Sequence, residues 1–167
     1  KDGWIDLFVS NGQNQNDALY KNNGNGTFTR ITSDPIVLDG AESWGCAWGD
    51  YDNDGLLDLF VVTYQGQNDI LYHNNGNGTF TRIFNTLPVM DGDWGVGCTW
   101  GDYDNDGDLD ILLAGGGGSK VYRNNGDNTF TEQISISLIG GFGSSVAWGE
   151  YDNDGDLDIL LTGYYNS

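Results

Sequence analysis

Along the chain, short apolar runs alternate with stretches rich in Asp, Asn and Gly, a pattern that favours β-strands joined by tight turns. Segment 57–64, LDLFVVTY, is almost unbroken and rich in β-branched residues, as expected of a strand covered on both faces. Segments 69–74 and 79–84 flank NGNG, a hairpin turn in which Asn and Gly tolerate positive φ. Segment 45–51 leads into an acidic loop. With no helical periodicity, this region is predicted to form four strands.

The same pattern returns in copies that begin at Asp2, Asp54, Asp106 and Asp154, with periods of 52, 52 and 48 residues. Four strands in a repeat of this length are typical of a β-propeller blade, whereas the coils of a β-solenoid, the alternative, are usually shorter. We therefore predict an all-β fold of four-stranded antiparallel blades. The single repeat domain, 1–167, would comprise about three repeats and a partial fourth: 2–53, 54–105, 106–153 and 154–167.

The order of the strands predicts an incomplete propeller or a repeat array. If the strands of one blade are named a to d, the chain reads b-c-d, then a-b-c-d twice, then a-b. Three blades are too few to close a ring, and an open array exposes strand edges that pair with other chains. We therefore expect either an excerpt of a longer propeller or copies that join head to tail into a ring or fibre.

The charge of the chain excludes several classes of partner. There are 25 acidic residues and 6 Lys or Arg, which gives a net charge of −19. Nucleic acids and anionic membranes need clustered basic residues, so neither is an expected partner. No apolar run approaches the ~18 residues of a membrane-spanning helix.

The acidic residues are concentrated in a repeated loop, DYDNDGLLD, that begins at residue 50. Its carboxylates occupy loop positions 1, 3, 5 and 9, Gly55 at position 6 permits a sharp turn, and the carbonyl of position 7 can point inward. The candidate ligands of the first loop are Asp50, Asp52, Asp54, the carbonyl of Leu56, and Asp58. Those of the second loop are Asp102, Asp104, Asp106, the carbonyl of Asp108, and Asp110. Those of the third loop are Glu150, Asp152, Asp154, the carbonyl of Asp156, and Asp158.

This donor set predicts Ca²⁺, which takes six to eight hard oxygen ligands, rather than Mg²⁺, which keeps its waters. The alternative is a metal-free polar turn. Against that alternative, 16 of the 25 acids lie in these loops or in the partial first one, Asp2 and Asp6, where they would repel one another without a cation. An EF-hand is excluded, since its position 12 needs a bidentate Glu. That position is Val61, Leu113 or Leu161 here.

The motifs WGDYDNDGLLDLF, WGDYDNDGDLDIL and LYHNNGNGTFT resemble FG-GAP/VCBS repeats, the blades of integrin-α-like β-propellers. The resemblance implies that the acidic loop joins the first and second strands of a blade and binds Ca²⁺. The first two complete loops match the family pattern fully, Glu150 departs at position 1, and the first copy keeps only Asp2 and Asp6. The family includes lectin-like and adhesive propellers, and propellers attached to enzymes.

Several residues outside the loops have structural interpretations. Trp48, Trp100 and Trp148 recur in register, which indicates blade packing rather than a platform for a ligand. Cys46 and Cys98 occupy the position of Val146, so we interpret them as small core residues, with a bridge between blades as the alternative.

Polar residues of the hairpins are interpreted in the same way. His73 aligns with Lys21 and Arg123, which suggests an exposed hairpin residue without a catalytic role. Asn25 and Asn77 belong to glycosylation sequons, but turn chemistry explains both.

We do not expect an enzyme, because the sequence shows no Ser/His/Asp arrangement, Cys/His pair or phosphate loop. The expected function is a calcium-stabilised extracellular module for adhesion or for binding a carbohydrate or protein. The alternative is a structural unit that self-assembles. Blade geometry places the variable segments opposite the calcium loops, where propellers usually bind partners. These segments are 10–16, 32–44, 63–68, 85–97, 114–119 and 134–144.

Overall fold

The computed structural model describes residues 3–13, 15–64, 66–90 and 94–164, with Phe142 described by its backbone alone. The strands are β1 (Leu7–Val9), β2 (Ala18–Asn22), β3 (Phe28–Ile31), β4 (Ser43–Gly49), β5 (Asp58–Thr63), β6 (Ile70–Asn74), β7 (Phe80–Ile83), β8 (Gly95–Gly101), β9 (Asp110–Gly115), β10 (Lys120–Asn124), β11 (Phe130–Glu132), β12 (Phe142–Gly149) and β13 (Asp158–Tyr164). Across these described residues the helical elements are two short 3₁₀ turns, Pro35–Val37 and Leu87–Met90. No helix in the described part of the chain has the length and apolar character needed to cross a membrane.

The strands form four antiparallel sheets, which are the predicted β-propeller blades. The first blade is β1-β2-β3, the second is β4-β5-β6-β7, the third is β8-β9-β10-β11, and β12 pairs with β13 alone. The predicted order b-c-d, a-b-c-d twice, a-b is therefore confirmed. Each complete blade begins with the strand that ends a sequence copy, so the blade is offset from the sequence repeat. The predicted strand 45–51 lies two residues too far along the chain, because β4 begins at Ser43 and ends at Gly49, before the acidic loop.

The hydrophobic core lies between neighbouring blades. All six residues of β5 are buried, and successive side chains point to opposite faces of the sheet. Leu59 and Val61 pack with the first blade, whereas Phe60 and Val62 pack with the third. The continuous apolar pattern of this strand therefore reflects two interfaces rather than one. Cys46 and Cys98 pack beside these two cores as free thiols, which confirms their interpretation as core residues.

The recurrent tryptophans join one blade to the next. The ring centroid of Trp48 lies 6.4 Å from that of Phe8 in the preceding blade and 6.1 Å from that of Phe80 in its own. Trp100 has the same environment, with centroids 6.1 Å from Phe60 and 6.3 Å from Phe130. The packing role predicted for these two residues is confirmed.

The glycine of the Trp-Gly motif is required by the same interface. A Cβ on Gly49 would lie 2.6 Å from the indole ring of Trp100, closer than real side-chain contacts. The Tyr of the loop then covers the other side of the junction, since the rings of Tyr51 and Trp100 stack with centroids 6.4 Å apart. At the next junction Tyr103 stacks on Trp148 at 5.9 Å. The motif WGDY therefore encodes contact with the following blade.

Candidate metal centres in the blade loops

Each acidic loop joins the first and second strands of its sheet, in the place that the family resemblance implied. The loops share one backbone conformation. Position 4 has positive φ in all three, 56° at Asn53, 59° at Asn105 and 67° at Asn153. The glycine at position 6 has φ of 81° at Gly55 and adopts the same left-handed region in the other loops, which a side chain would oppose. The three loops therefore place their equivalent side chains on the same turn geometry.

The structure brings carboxylates of each loop together. In every cluster, one ligand atom from each residue lies within 4.8 Å of those from the others. The clusters are Asp50, Asp52 and Asp54; Asp52, Asp58 and His73; Asp102, Asp104 and Asp110; and Glu150, Asp152 and Asp158. The carboxylates at positions 1 and 3 thus lie close together in all three loops. The third member of the cluster is position 5 in the first loop and position 9 in the other two.

Backbone N–H groups fold the loop around the carboxylate at position 1. The N–H of Gly55 donates to Asp50 Oδ2 at 2.8 Å, and the N–H of Gly107 donates to Asp102 Oδ2 at 2.9 Å. Glu150 accepts the equivalent bond from Gly155 at 2.7 Å. The extra methylene of Glu150 therefore does not prevent it from holding its loop as an aspartate does.

One oxygen of the first loop is buried and unpartnered. Asp50 Oδ1 has no hydrogen-bond partner among the described residues, although Asp50 Oδ2 accepts from the backbone. A buried carboxylate oxygen without a donor is costly unless a cation or an ordered water meets it. Asp50 belongs to the cluster with Asp52 and Asp54. The hard-oxygen donor set and this oxygen together fit a Ca²⁺ ion.

The aspartate at position 9 has a structural role that the sequence analysis missed. Asp58 is fully buried, and its two oxygens accept the N–H of Tyr51 at 3.3 Å and the N–H of Asn74 at 2.8 Å. Asn74 in turn donates its side-chain N–H to the carbonyl of Leu57 at 3.0 Å. These bonds attach the loop to β6. The recurrent Asn of the YxNNG motif was the signal for this connection.

The same network recurs in the other blades. Asp110 is fully buried and accepts the N–H of Asn124 at 2.8 Å, and Asp6 accepts the N–H of Asn22 at 2.8 Å. Burial raises the pKa of both Asp58 and Asp110 to about 6. Because desolvation penalises the ionised form, a neighbouring cation would stabilise both of these carboxylates.

The interpretation of His73 as an exposed hairpin residue was wrong. His73 lies in β6 with 27% of its side chain exposed, and its Nδ1 is 3.2 Å from Asp52 Oδ2 and 3.3 Å from Asp58 Oδ1. The side chain at this strand position points into the acidic loop instead of away from it.

Arg123 takes the equivalent place beside the second loop. Its Nε is 2.7 Å from Asp104 Oδ2 and its Nη2 is 2.9 Å from Asp106 Oδ2. This hydrogen-bonded guanidinium holds the pKa of Asp106 below its ordinary value. Positions 3 and 5 of the second loop thus share a permanent positive charge. In the first loop an imidazole lies beside positions 3 and 9 instead. Alignment of His73 with Lys21 and Arg123 was the available signal, because all three can carry positive charge.

Position 7 connects neighbouring loops through its side chain. Asn53 Nδ2 donates to Asp108 Oδ1 at 2.7 Å, and Asn105 Nδ2 donates to Asp156 Oδ1 at 3.1 Å. The predicted metal ligand of Asp108 and of Asp156 is the main-chain carbonyl oxygen. The side-chain carboxylates of these two residues instead link one blade to the next.

Comparisons with known proteins agree with this architecture. A lectin from Agrocybe aegerita, solved to show specific recognition of non-reducing terminal N-acetylglucosamine, superposes with a TM-score of 0.63 at 19% identity. The match covers 96% of this chain and 43% of the lectin, so the chain spans less than half the lectin's length. No curated protein matches the sequence. The model of the FG-GAP-like repeat matches residues 1–61, 50–113 and 102–161, and the chain belongs to the FG-GAP-like repeat family.

Proposed function

We propose that this chain is a calcium-stabilised, non-catalytic β-propeller module that binds a ligand outside the cell. The observation that carries the calcium part is the buried, unpartnered Oδ1 of Asp50, a residue that belongs to a cluster of carboxylates. Three copies of such a loop in one small chain concentrate negative charge that a divalent cation would neutralise.

The ions would be held by the residues that the sequence analysis named. In the first loop these are Asp50, Asp52 and Asp54, with Asp58 and the carbonyl of Leu56 completing the oxygen set. The equivalent residues of the second and third loops would hold two further ions. Bound calcium would offset the repulsion within each loop and fix the connection between strands a and b.

Support for ligand binding comes from the fold. The lectin of similar fold recognises terminal N-acetylglucosamine, so a saccharide is the first ligand class to test. The loop acids recur in equivalent positions, which suits a structural role in every blade better than catalysis in one. Millimolar calcium outside cells favours an extracellular location. Head-to-tail self-assembly stays a prediction.

Calorimetric titration of calcium into chelator-treated protein tests the proposal. We expect at least two ions per chain, at the first and second loops, and a third at the loop of Glu150. Asp54→Asn preserves an oxygen acceptor for the N–H of Leu56, which now donates to Asp54 Oδ1 at 2.7 Å, but removes one charge. The variant should bind one ion fewer and melt at a lower temperature in calcium, with little change in chelator. Glu132→Gln in β11 is the control. No binding at millimolar calcium would contradict the proposal.

A further inference from the structure

Three aromatic residues gather at the end of the second blade that lies away from its acidic loop. In the β4–β5 pair, Gly49 opposite Asp58 marks the loop end, and Ser43 opposite Thr63 marks the other end. Trp44 and Tyr64 adjoin this second end, and Trp94 precedes β8 of the third blade. Six residues of strand separate the two ends by about 20 Å. The aromatic group is therefore distinct from the candidate metal centre.

The three rings form a continuous group, the aromatic platform, with exposed Trp44 and Trp94 on either side of the partly buried Tyr64. Trp44 and Tyr64 stack with centroids 4.4 Å apart at 27°, and Tyr64 lies 5.4 Å from Trp94 at 59°. Trp44 is 48% exposed and Trp94 is 47% exposed. In contrast, Trp100 is largely covered and packs with two phenylalanines inside the blade junction. The platform thus presents large apolar rings to solvent in a fixed arrangement.

Comparison between blades shows that the scaffold does not need these rings. The N–H of Tyr64 donates to the carbonyl of Glu42, and the N–H of Gly116 donates to that of Trp94, both at 2.9 Å. Because these two bonds are equivalent, Gly116 in the third blade corresponds to Tyr64 in the second. Glu42, which precedes the second blade, corresponds to Trp94, which precedes the third. The next blade therefore closes the same backbone connection with no side chain where the second has Tyr64. Since the fold is satisfied without them, the aromatics at the second junction require another explanation.

The backbone also turns one ring outward. The β4–β5 register shifts between Ser43 and Gly45, which leaves Trp44 as the extra residue of a β-bulge. The same register shift occurs between Gly95 and Gly97 of β8, so the bulge belongs to the scaffold, and the difference is that it carries Trp44 here and Val96 there. The loop of the first blade runs alongside, since a Cβ on Gly12 would lie 3.6 Å from Trp44 Nε1. Strand irregularity and a neighbouring loop thus hold Trp44 at the surface.

A polar group is fixed beside the rings. Gln67 closes a turn by donating its N–H to the carbonyl of Tyr64 at 3.4 Å, and its Oε1 accepts the N–H of Glu42 at 3.1 Å. Anchoring of Oε1 orients the side-chain NH₂ of this exposed residue as a donor. The adjoining segments 10–13, 41–44, 63–64, 66–68 and 94–97 contain no Lys or Arg, which disfavours an anionic ligand.

We propose that the aromatic platform, Trp44, Tyr64 and Trp94, is a binding site for a neutral saccharide. The C–H face of a sugar ring would lie on an indole, and the amide of Gln67 would donate to a hydroxyl. Apolar rings with a few placed polar groups are the usual composition of such small-ligand sites. A protein partner would typically cover about 800 Å² per side, far beyond three rings. This inference rests on the proposed function as a ligand-binding module, and names its ligand class and site.

Calorimetry in calcium, with three neutral trisaccharides built from N-acetylglucosamine, glucose or mannose, tests this site. At least one should bind the wild-type chain. Trp44→Ala and Trp94→Ala should each weaken that binding about tenfold, the effect of one lost aromatic contact. Tyr64→Phe keeps the ring and should retain most of the affinity. Phe84→Ala removes a 63% exposed aromatic outside the platform and is the matched control. Melting temperatures in calcium verify that each variant is folded.

The outcomes separate this site from the proposed function. If a trisaccharide binds but the platform variants bind it as wild type does, the site is wrong and the ligand-binding function stands. If none of the three trisaccharides binds the folded, calcium-loaded chain at millimolar concentration, the saccharide inference is overturned. Discovery of a protein partner for the platform would not rescue it. The calcium titration is independent of both results.

Discussion

The two ends of the β4–β5 pair differ in how the repeats use them. The loop end carries acids at positions 1, 3, 5 and 9 of all three loops, with hydrogen bonds that recur from Asp58 to Asp110. The opposite end carries Trp44 and Tyr64, for which the third blade has no aromatic equivalents. Residues shared by every blade therefore build the scaffold, and residues confined to one junction are the place to look for recognition. Substitutions at the two ends should have different consequences.

The largest effect is expected from Asp58→Ala at the loop end. The change leaves the buried N–H groups of Tyr51 and Asn74 without their acceptor and also removes a candidate calcium ligand. We expect the free energy of unfolding to fall by about 3–5 kcal/mol. Urea denaturation should show most of this loss in chelator as well as in calcium, unlike Asp54→Asn. Loss of stability in calcium alone would show that Asp58 acts only as a ligand.

Next in size is a pH dependence that calcium should reverse. Burial raises the pKa of Asp17, Asp58 and Asp110 from 3.8 to about 6. At a pH between these two pKa values, the folded state binds more protons than the unfolded state. In chelator, the free energy of unfolding should therefore fall as the pH rises from about 4 to about 6. Calcium binds the ionised carboxylates, so its stabilising effect should be small at pH ~4 and largest near pH ~7.

Asp17 makes it possible to distinguish, in the same pH experiment, the titration of a buried carboxylate from the effect of calcium. Its oxygens accept the N–H of Asn11 and the hydroxyl of Ser43, away from the metal loops. Asp17→Asn should therefore reduce the pH dependence in chelator and leave the calcium-dependent part unchanged. Stability in chelator that increases between pH ~4 and pH ~6 would contradict the pKa assignments.

A moderate effect is expected from Gly49→Ala, where the loop end meets the next blade. The new methyl group would meet the ring of Trp100 at 2.6 Å and force the blades apart, at a cost of about 1–3 kcal/mol. Gly149→Ala is the matched control, because a Cβ at the equivalent position of β12 has no neighbour within 4 Å. Thermal unfolding compares the two variants. Equal melting temperatures would refute the close contact.

The smallest change in stability is expected at the aromatic platform itself. Trp44→Ala removes an exposed ring whose stacking on Tyr64 contributes about 0.5–1.5 kcal/mol. We expect a loss of stability of that size or less by chemical denaturation, with the same value in calcium and in chelator. A loss as large as that of Asp58→Ala would mean that the ring supports the scaffold, and the distinction between the two ends would fail.

Much of the fold could be predicted from sequence because the information is local and repeated. The apolar run of β5, the NGNG hairpin and the acidic loop each depend on neighbouring residues, and the internal copies repeat the signal. The blade order followed from the same pattern. Side-chain contacts between residues far apart in the sequence could not be predicted in this way. His73 was misplaced because the pattern does not show that its side chain turns toward Asp52 across the sheet.

The platform illustrates the same limit. Its residues fall in three of the variable segments, so the sequence identified the correct regions but not their convergence. Trp44, Tyr64 and Trp94 meet because a bulge in β4 and the packing of the second blade on the third bring them together. The double role of Asp58, as candidate ligand and as acceptor for β6, was likewise hidden, because spacing describes only the loop.

The side-chain bonds between loops make the order of the repeats matter. Asn53 reaches Asp108 in the following loop, and Asn105 reaches Asp156. At the position of these acceptors the second blade has Leu56, which offers no side-chain oxygen. A rearranged gene that places the second repeat after the third would lose such a bond, although every blade would keep its own strands. The blades are therefore not interchangeable modules, and recombination among these repeats is restricted by which neighbour each one accepts.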